Sequence, residues 1–226
     1  LNSMTSRILV TGVSGQVGGA IMSLKNDYPF ELIPVSRADW DMAREPRKAV
    51  KLIEQHQPDM VINPAAYTNV DGAEEDQKTA FAVNATVVGE LAGACQQANI
   101  PLLHVSTDYV FDGLSKLPLS ENSNTNPINE YGSSKLKGEQ VCLKNDTNSI
   151  IIRTSWLYSS FGNKHGLFLE SLKVYKSKIN LIFEEFKKMQ ALREARQEKI
   201  ASLLTPKQLK KLEQMKQKNK RCKKED

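Results

Sequence analysis

The chain has 226 residues, with 31 Lys and Arg against 26 Asp and Glu and a net charge of +5, a length sufficient for one large domain with a buried core. No apolar run approaches the ~20 residues that cross a bilayer, which argues against a membrane protein. Its three cysteines form no zinc or disulfide pattern, so we expect no metal site and a reducing, cytoplasmic location.

Charge and glycine are unevenly distributed along the chain. Residues 1–164 carry a net charge of −4, whereas residues 165–226 carry a net charge of +9. All 12 glycines stand at or before Gly166, although glycine is the residue that loops and nucleotide sites need most. We therefore predict a leader at 1–6, a globular domain at 7–164 and a lysine-rich helical tail at 165–226.

Short strands alternate with helices in the predicted globular domain. Strands are predicted at Arg7–Thr11, Glu31–Val35, Asp59–Ile62, Leu102–Val105 and Ser149–Arg153. Helices are predicted at Gln16–Lys25, Pro46–Gln55, Glu74–Ala98 and Glu130–Leu143. Because short loops join these elements, the pattern predicts a parallel sheet covered on both faces, the doubly wound, Rossmann-like α/β class.

A glycine-rich loop joins the first predicted strand to the first helix. Its sequence, Thr11–Gly18, places glycines at 12, 15 and 18, a spacing that lets backbone N–H groups approach a pyrophosphate at the start of a helix. The same glycines would also suit a tight turn without a ligand. In this setting between strand and helix, the loop predicts nucleotide contacts by Gly12, Gly15, Gln16, Val17 and Gly18.

The second predicted strand is followed by Arg37. At this position an acid would bind the ribose of NAD, whereas an arginine suits the 2′-phosphate of NADP. Arg37 therefore favours NADPH as cofactor, with NADH as the alternative. The competing interpretation is an ordinary exposed arginine.

Two further loops follow the third and fourth predicted strands, where ligands collect in open α/β sheets. In the first loop, the small Ala65 and Ala66 would let a cofactor pass close to the backbone. In the second, Thr107 can donate a hydrogen bond to a carbonyl oxygen and so stabilise the negative charge that develops when hydride arrives at carbon.

Tyr131 and Lys135 stand four residues apart in a predicted helix, a spacing that places both on one helical face. A nearby ammonium favours phenolate, so we expect Lys135 to lower the pKa of Tyr131 and to hold the nicotinamide ribose. Tyr131 would then supply a proton in carbonyl reduction. Alone, the pair is more often part of a solvated helix face; the upstream glycine loop and Thr107 favour a keto-reduction site.

Together the motifs resemble the extended short-chain dehydrogenase/reductases and, within them, the dTDP-4-dehydrorhamnose reductase family. The motifs are the three glycines of Thr11–Gly18, then Asn63–Asp71, Ser106–Gly113, Asn129–Lys135 and Arg153–Tyr158. The resemblance covers about residues 7–163. It implies reduction of the 4-keto group of dTDP-6-deoxy-L-lyxo-4-hexulose to dTDP-L-rhamnose, with NADPH or NADH.

The resemblance also implies roles for individual residues. The implied catalytic residues are Thr107, Tyr131 and Lys135. The implied cofactor contacts add Asp41, Met42, Ala65, Ala66, Tyr67, Tyr131 and Lys135 to the glycine loop and Arg37. The implied substrate contacts are Thr68, Val70, Asp108, Tyr109 and Trp156. An indole face can stack on a sugar ring, and the competing interpretation of Trp156 is a core tryptophan.

Residues 165–226 do not resemble the smaller lobe with which members of that family grip the nucleotide sugar. We therefore expect a truncated sheet domain with impaired turnover, and a non-catalytic nucleotide-binding or regulatory module is the alternative. The expected partner is a nucleotide sugar and not nucleic acid or membrane, because charge runs are usually solvated. The helical stripe of the tail leaves a homodimer or a partner helix open.

Overall fold

The computed structural model describes residues 5–146, 148–155 and 157. The predicted tail at 165–226, Trp156 and most of the leader lie outside the described residues. The strands are β1 Ser6–Thr11, β2 Phe30–Val35, β3 Met60–Asn63, β4 Leu102–Thr107 and β5 Ile150–Thr154. The α-helices are α1 Gln16–Ser23, α2 Ala49–His56, α3 Val70–Glu75, α4 Gln77–Phe81, α5 Val87–Ala98 and α6 Glu130–Asn145.

The five strands form one parallel sheet in the order β2-β1-β3-β4-β5. The chain passes from β1 to β2 on one side and then crosses to β3 on the other, so the strand order reverses between β1 and β3. Ligands of doubly wound sheets bind at such a switch point, beyond the carboxyl ends of the strands. The predicted doubly wound α/β class is confirmed.

The central strands are buried along most of their length. Every residue of β3 is buried, and in β4 only Val105 is partly exposed. A strand covered on both faces reads as a nearly continuous apolar run, which explains why the sequence located these strands well. Within the part of the chain that the structure describes, no helix has both the length and the apolarity needed to cross a membrane.

The prediction of one helix from Glu74 to Ala98 is wrong. The chain leaves helical geometry at Asp76, where φ is −125° and ψ is 62°, and the Asp76 carboxylate accepts a hydrogen bond from the Thr79 backbone N–H at 3.1 Å. An aspartate that caps a new helix competes with the continuation of the old one. A second irregularity, a π-helical turn at Ala82–Thr86, separates α4 from α5.

Helix α6 lies against two backbone carbonyl groups of neighbouring elements. A Cβ added at Gly138 would overlap the carbonyl oxygen of Asn84 in the π-helical turn, and one added at Gly132 would overlap that of Tyr109 after β4. Asn129 caps the helix, since its Oδ1 accepts from the Gly132 N–H at 2.7 Å. The two glycines therefore fix α6 at the carboxyl end of β4.

We predict that Gly138→Ala lowers the free energy of unfolding by about 2 kcal/mol or more, because the added methyl group forces α6 away from Asn84. Gly93→Ala, in helix α5, is the matched control. Among the described residues no atom lies within 4 Å of its added Cβ, so this change should raise stability by about 0.5–1 kcal/mol. Urea denaturation of both variants measures the difference; equal effects would contradict the close contact.

Candidate active site

A cleft of about 710 Å³ opens beyond the carboxyl ends of β1, β3 and β4, at the switch point of the sheet. The residues predicted to contact a cofactor that line it are Gly12, Gly15, Gln16, Val17, Gly18, Arg37, Asp41, Met42, Ala65, Ala66, Tyr67 and Tyr131. Lys135 is the one member of the predicted cofactor set that does not line the cleft. The structure thus brings together residues that five separate stretches of sequence supply.

The glycine loop makes a turn that only glycine accommodates. Gly12 has φ +58°, and a Cβ there would stand 2.8 Å from the Cα of Ala65. A Cβ at Gly18 would overlap the carbonyl oxygen of Gly12. That oxygen accepts a hydrogen bond from the Gly15 N–H at 2.9 Å. Helix α1 therefore begins at the wall of the cleft, with its N–H groups and positive end available to an anion.

The far end of the cleft is formed by the residues that follow β2. Ser36, Arg37 and Trp40 line it, and the loop is held by Asp39, which accepts hydrogen bonds from the Ser36 backbone N–H at 2.8 Å and hydroxyl at 2.6 Å. These bonds lower the pKa of Asp39. Trp40 is buried and its Nε1–H donates to the Glu45 carbonyl at 2.8 Å, which gives this end of the cleft a fixed wall.

Asn84, which the sequence analysis did not identify, ties three elements together from the π-helical turn. Its Oδ1 accepts from the Tyr67 N–H at 2.8 Å, and its Nδ2 donates to the Tyr67 carbonyl and to Ser134 Oγ, each at 3.0 Å. The loop after β3 and helix α6 are thereby fixed to one buried amide. π-Helical turns are often found at functional sites, and this one is the feature that could have marked Asn84.

Thr107 and Tyr131 face each other at the inner end of the cleft. Burial raises the pKa of Tyr131, and this effect outweighs the opposite effect of its hydrogen bond with Thr107. The edge of the Tyr109 ring packs against the Tyr131 ring, with centroids 5.4 Å apart. The phenol is therefore protonated at neutral pH and is in contact with a hydroxyl group.

Lys135 is fully buried and its ammonium group contacts strand β4. Its Nζ donates to the Val105 carbonyl at 2.7 Å and lies 3.2 Å from Nε2 of His104. Burial lowers the pKa of Lys135 to about 8, although Glu139 opposes that change. The pKa of Tyr131 is raised and not lowered, because burial of the phenol dominates; the groups that act on it are Thr107, Asp108 and Tyr109, and Lys135 is not among them.

Three of the five predicted substrate residues line the cleft. Thr68, Val70 and Tyr109 line the cleft, whereas Asp108 does not; its Oδ1 accepts from the Thr107 hydroxyl at 3.2 Å. Trp156 lies outside the described residues. The cleft residues that the sequence analysis missed are Ser14, Val35, Ser36, Trp40, Ala43, Pro64, Thr79, Val83, Thr154 and Leu157.

The chain is similar in sequence to a known protein family and to named reductases. Residues 6–188 match the family described as RmlD substrate binding domain, a match that extends beyond the boundary predicted at residue 164. The chain is 35% identical over 180 residues to a dTDP-4-dehydrorhamnose reductase of Burkholderia thailandensis, covering 80% of this chain and 60% of the relative. A dTDP-4-keto-6-deoxy-D-glucose reductase of Streptomyces niveus is 38% identical over 161 residues, covering 70% and 55%.

The solved structures agree with the sequence relatives. The dTDP-4-dehydrorhamnose reductase of Bacillus anthracis in complex with NADP matches with a TM-score of 0.69 and 34% identity, covering 73% of this chain and 58% of that one. The ortholog from Clostridium acetobutylicum matches with a TM-score of 0.66 and 35% identity, covering 77% and 59%. The chain spans about 60% of the length of the first relatives that it matches.

The depressed pKa of Lys135 predicts a stability difference that depends on pH. Its ordinary value is 10.5, so between about pH 8 and 10.5 the unfolded chain binds a proton that the folded chain has released. The free energy of unfolding of the wild type should therefore rise with pH across that window relative to Lys135→Met, by about 3 kcal/mol.

Denaturation of both proteins near pH 7 and near pH 10 measures this difference. Tyr131, Cys95 and Cys142, whose pKa values burial raises, are present in both proteins and largely cancel. A parallel pH dependence of the two proteins would contradict the burial of an ionisable amine at this position.

Proposed function

Because the chain belongs to the RmlD substrate binding domain family, we propose that it binds NADPH in the cleft and reduces the 4-keto group of a dTDP-linked 6-deoxyhexulose. The proposed substrate is dTDP-6-deoxy-L-lyxo-4-hexulose and the proposed product is dTDP-L-rhamnose. One observation carries the proposal: a single cleft has a glycine turn at a helix N-terminus in its wall and a hydroxyl–phenol pair at its inner end.

The residues present fit a dinucleotide. Gly12 permits the tight turn, Gly18 permits helix α1 to pack against it, and Gly15 would let a pyrophosphate approach the backbone. Ala65 and Ala66 present little bulk in the same cleft. Arg37 stands where it can pair with a 2′-phosphate, as a guanidinium does well. When bound, NADPH would supply the hydride.

Thr107 and Tyr131 would carry the proton side of the reaction. On substrate binding, the Thr107 hydroxyl would turn from Asp108 Oδ1, to which it donates in this structure, and donate to the substrate carbonyl oxygen. That oxygen gains negative charge as the carbonyl carbon gains hydride. Tyr131 would give its phenolic proton to that oxygen, completing the alcohol. The raised pKa of Tyr131 supports this role, since a proton donor must hold its proton before the reaction.

The sugar would lie at the inner end of the cleft, beside Tyr109. Tyr109 has 40% of its surface exposed and packs against Tyr131, so its ring can cover an apolar sugar face. Thr68 and Val70 line the cleft on the side of the β3 loop. We propose that these three residues contact the deoxysugar, and that Asp108 accepts the Thr107 hydroxyl hydrogen bond only until substrate binds.

A non-catalytic nucleotide-binding or regulatory module is the second candidate. The cofactor end of the cleft would serve such a module equally well. A cytoplasmic location, a homodimer and a partner bound to the tail stay predictions of the sequence.

We predict that Tyr131→Phe lowers kcat for NADPH oxidation with the dTDP-ketosugar by about 10²–10⁴-fold, because the proton donor is lost. Binding of NADPH, measured as a rise in Tm, should be retained. Tyr28→Phe removes the same hydroxyl group from a residue that does not line the cleft and should leave kcat unchanged.

The outcomes separate the two candidate functions. Turnover that survives in Tyr131→Phe would contradict the assignment of the proton donor. A wild-type chain that NADPH stabilises but that shows no turnover would select the binding module. If millimolar NADPH leaves Tm unchanged, both candidates fail.

We predict that Arg37→Leu weakens binding of NADPH by about tenfold or more and leaves binding of NADH within about twofold, because only NADPH carries the 2′-phosphate. Arg47→Leu is the matched control, since Arg47 is exposed and does not line the cleft. Titration calorimetry measures all three proteins. Equal losses for the two cofactors would show that Arg37 does not read the phosphate.

A further inference from the structure

Four buried polar side chains form a hydrogen-bonded line that none of the proposed reaction steps uses. Thr11 Oγ1 donates to Asn63 Oδ1 at 2.6 Å, Asn63 Nδ2 lies 3.1 Å from His104 Nδ1, and His104 Nε2 lies 3.2 Å from Lys135 Nζ. Each is 1% exposed or less. We call these four residues the polar row.

The row extends across adjacent strands of the sheet to helix α6. Asn63 and His104 are register partners of β3 and β4, and Thr11 is the last residue of β1, the other neighbour of β3. None of the four lines the cleft. Because each is buried, each must have its hydrogen bonds satisfied within the protein.

The orientation of the Asn63 amide determines which ring nitrogen of His104 carries the proton. The amide oxygen accepts from Thr11, so the amide nitrogen, which can only donate, faces Nδ1 of His104. Nδ1 must then accept, and a neutral imidazole carries its one proton on Nε2. That N–H points at Nζ of Lys135, which can accept only as an uncharged amine.

A charged Lys135 requires the opposite arrangement. An ammonium group has donors only, so Nε2 of His104 accepts and the ring proton stands on Nδ1. A half-turn of the Asn63 amide then presents its oxygen to Nδ1 and its nitrogen to Thr11. Asn63, His104 and Lys135 thus have matched donors and acceptors in both states of the lysine.

An imidazolium ion is excluded from the row. It would place a second cation beside Lys135 in a buried site, and burial together with the Lys135 charge holds the pKa of His104 well below its ordinary value. The other titratable groups that act on Lys135 are Glu139 and Cys142 of its own helix, and Glu139 is paired with Arg153 of β5 at 2.6 Å. His104 is the ionisable partner from β4.

We propose that His104 is a positioning residue for Lys135: its neutral ring moves its proton from Nδ1 to Nε2 when Lys135 loses its charge, and so holds the amine in one place in both states. The protons balance: the row loses one proton to solvent when Lys135 loses its charge, and the imidazole ring carries one proton in both states. The proposal rests on the proposed function in one point: Lys135 would hold the nicotinamide ribose there, as the sequence analysis expects. It adds that His104, oriented by Asn63, presents an acceptor to the charged form of Lys135 and a donor to the uncharged form.

The tautomer of His104 in the wild-type chain tests this directly. NMR of the histidine ring nitrogens in isotopically labelled protein would be recorded on both sides of the Lys135 pKa of about 8. We expect the ring proton on Nδ1 below that pH and on Nε2 above it. The His104 signals are assigned by their loss in His104→Gln, with His56 and His165 as internal references. One tautomer throughout, or an imidazolium, would overturn the proposal.

Two substitutions test positioning through kinetics. His104→Gln puts an amide group where Nε2 stood and keeps a partner for Lys135, whereas His104→Asn puts it where Nδ1 stood and serves only Asn63. We expect kcat/KM to fall about tenfold or more in the Asn variant, with a shifted pH profile, and much less in the Gln variant. Ser106→Ala is the control, because the Ser106 hydroxyl is buried in the same strand without a hydrogen-bond partner among the described residues.

Failure of this proposal and failure of the proposed function give different results. The tautomer titration needs no turnover, so it can be read even if the chain proves to be a binding module or if the Asn variant does not fold. Equal kinetics and pH profiles of the Asn and Gln variants, with turnover that still depends on Tyr131, would overturn the positioning role alone.

Discussion

The contact between helix α6 and two backbone carbonyl groups is the constraint on which the site depends. Gly132 and Gly138 let the helix approach Tyr109 and Asn84 more closely than any side chain would allow. That approach sets Tyr131 beside Thr107 and places Lys135 under strand β4. The buried amide of Asn84 holds the same helix through Ser134 and the β3 loop through Tyr67, so the cleft wall and the reacting end share one support.

Burial, more than pairing, sets the charge states at the inner end of the cleft. It raises the pKa of Tyr131 and lowers that of Lys135, which keeps the phenol protonated and brings the amine to about 8. A lysine that titrates near physiological pH needs partners for both of its forms. The polar row supplies them, because an imidazole and an amide can each present either a donor or an acceptor.

Short-range patterns in the sequence predicted the strands and the glycine turn. The strands were located because runs buried on both faces are mostly apolar, and the glycine turn was located because its spacing stands between a predicted strand and a predicted helix. The break at Asp76 and the π-helical turn were missed, since a side-chain cap competes with an otherwise strong helical pattern. The bond between His104 and Lys135 joins residues 31 apart, and no local pattern marks it. The direction of the Tyr131 pKa depends on packing, which the sequence does not show.

The central claim is that one cleft holds a dinucleotide with its reactive end against a hydroxyl–phenol pair. A crystal structure of the chain grown with NADPH tests it most directly. We expect the pyrophosphate at the turn of Gly12 to Gly18, the 2′-phosphate at Arg37 and the nicotinamide against Thr107 and Tyr131. A nucleotide bound outside the cleft, or one whose nicotinamide lies away from Tyr131, would contradict it.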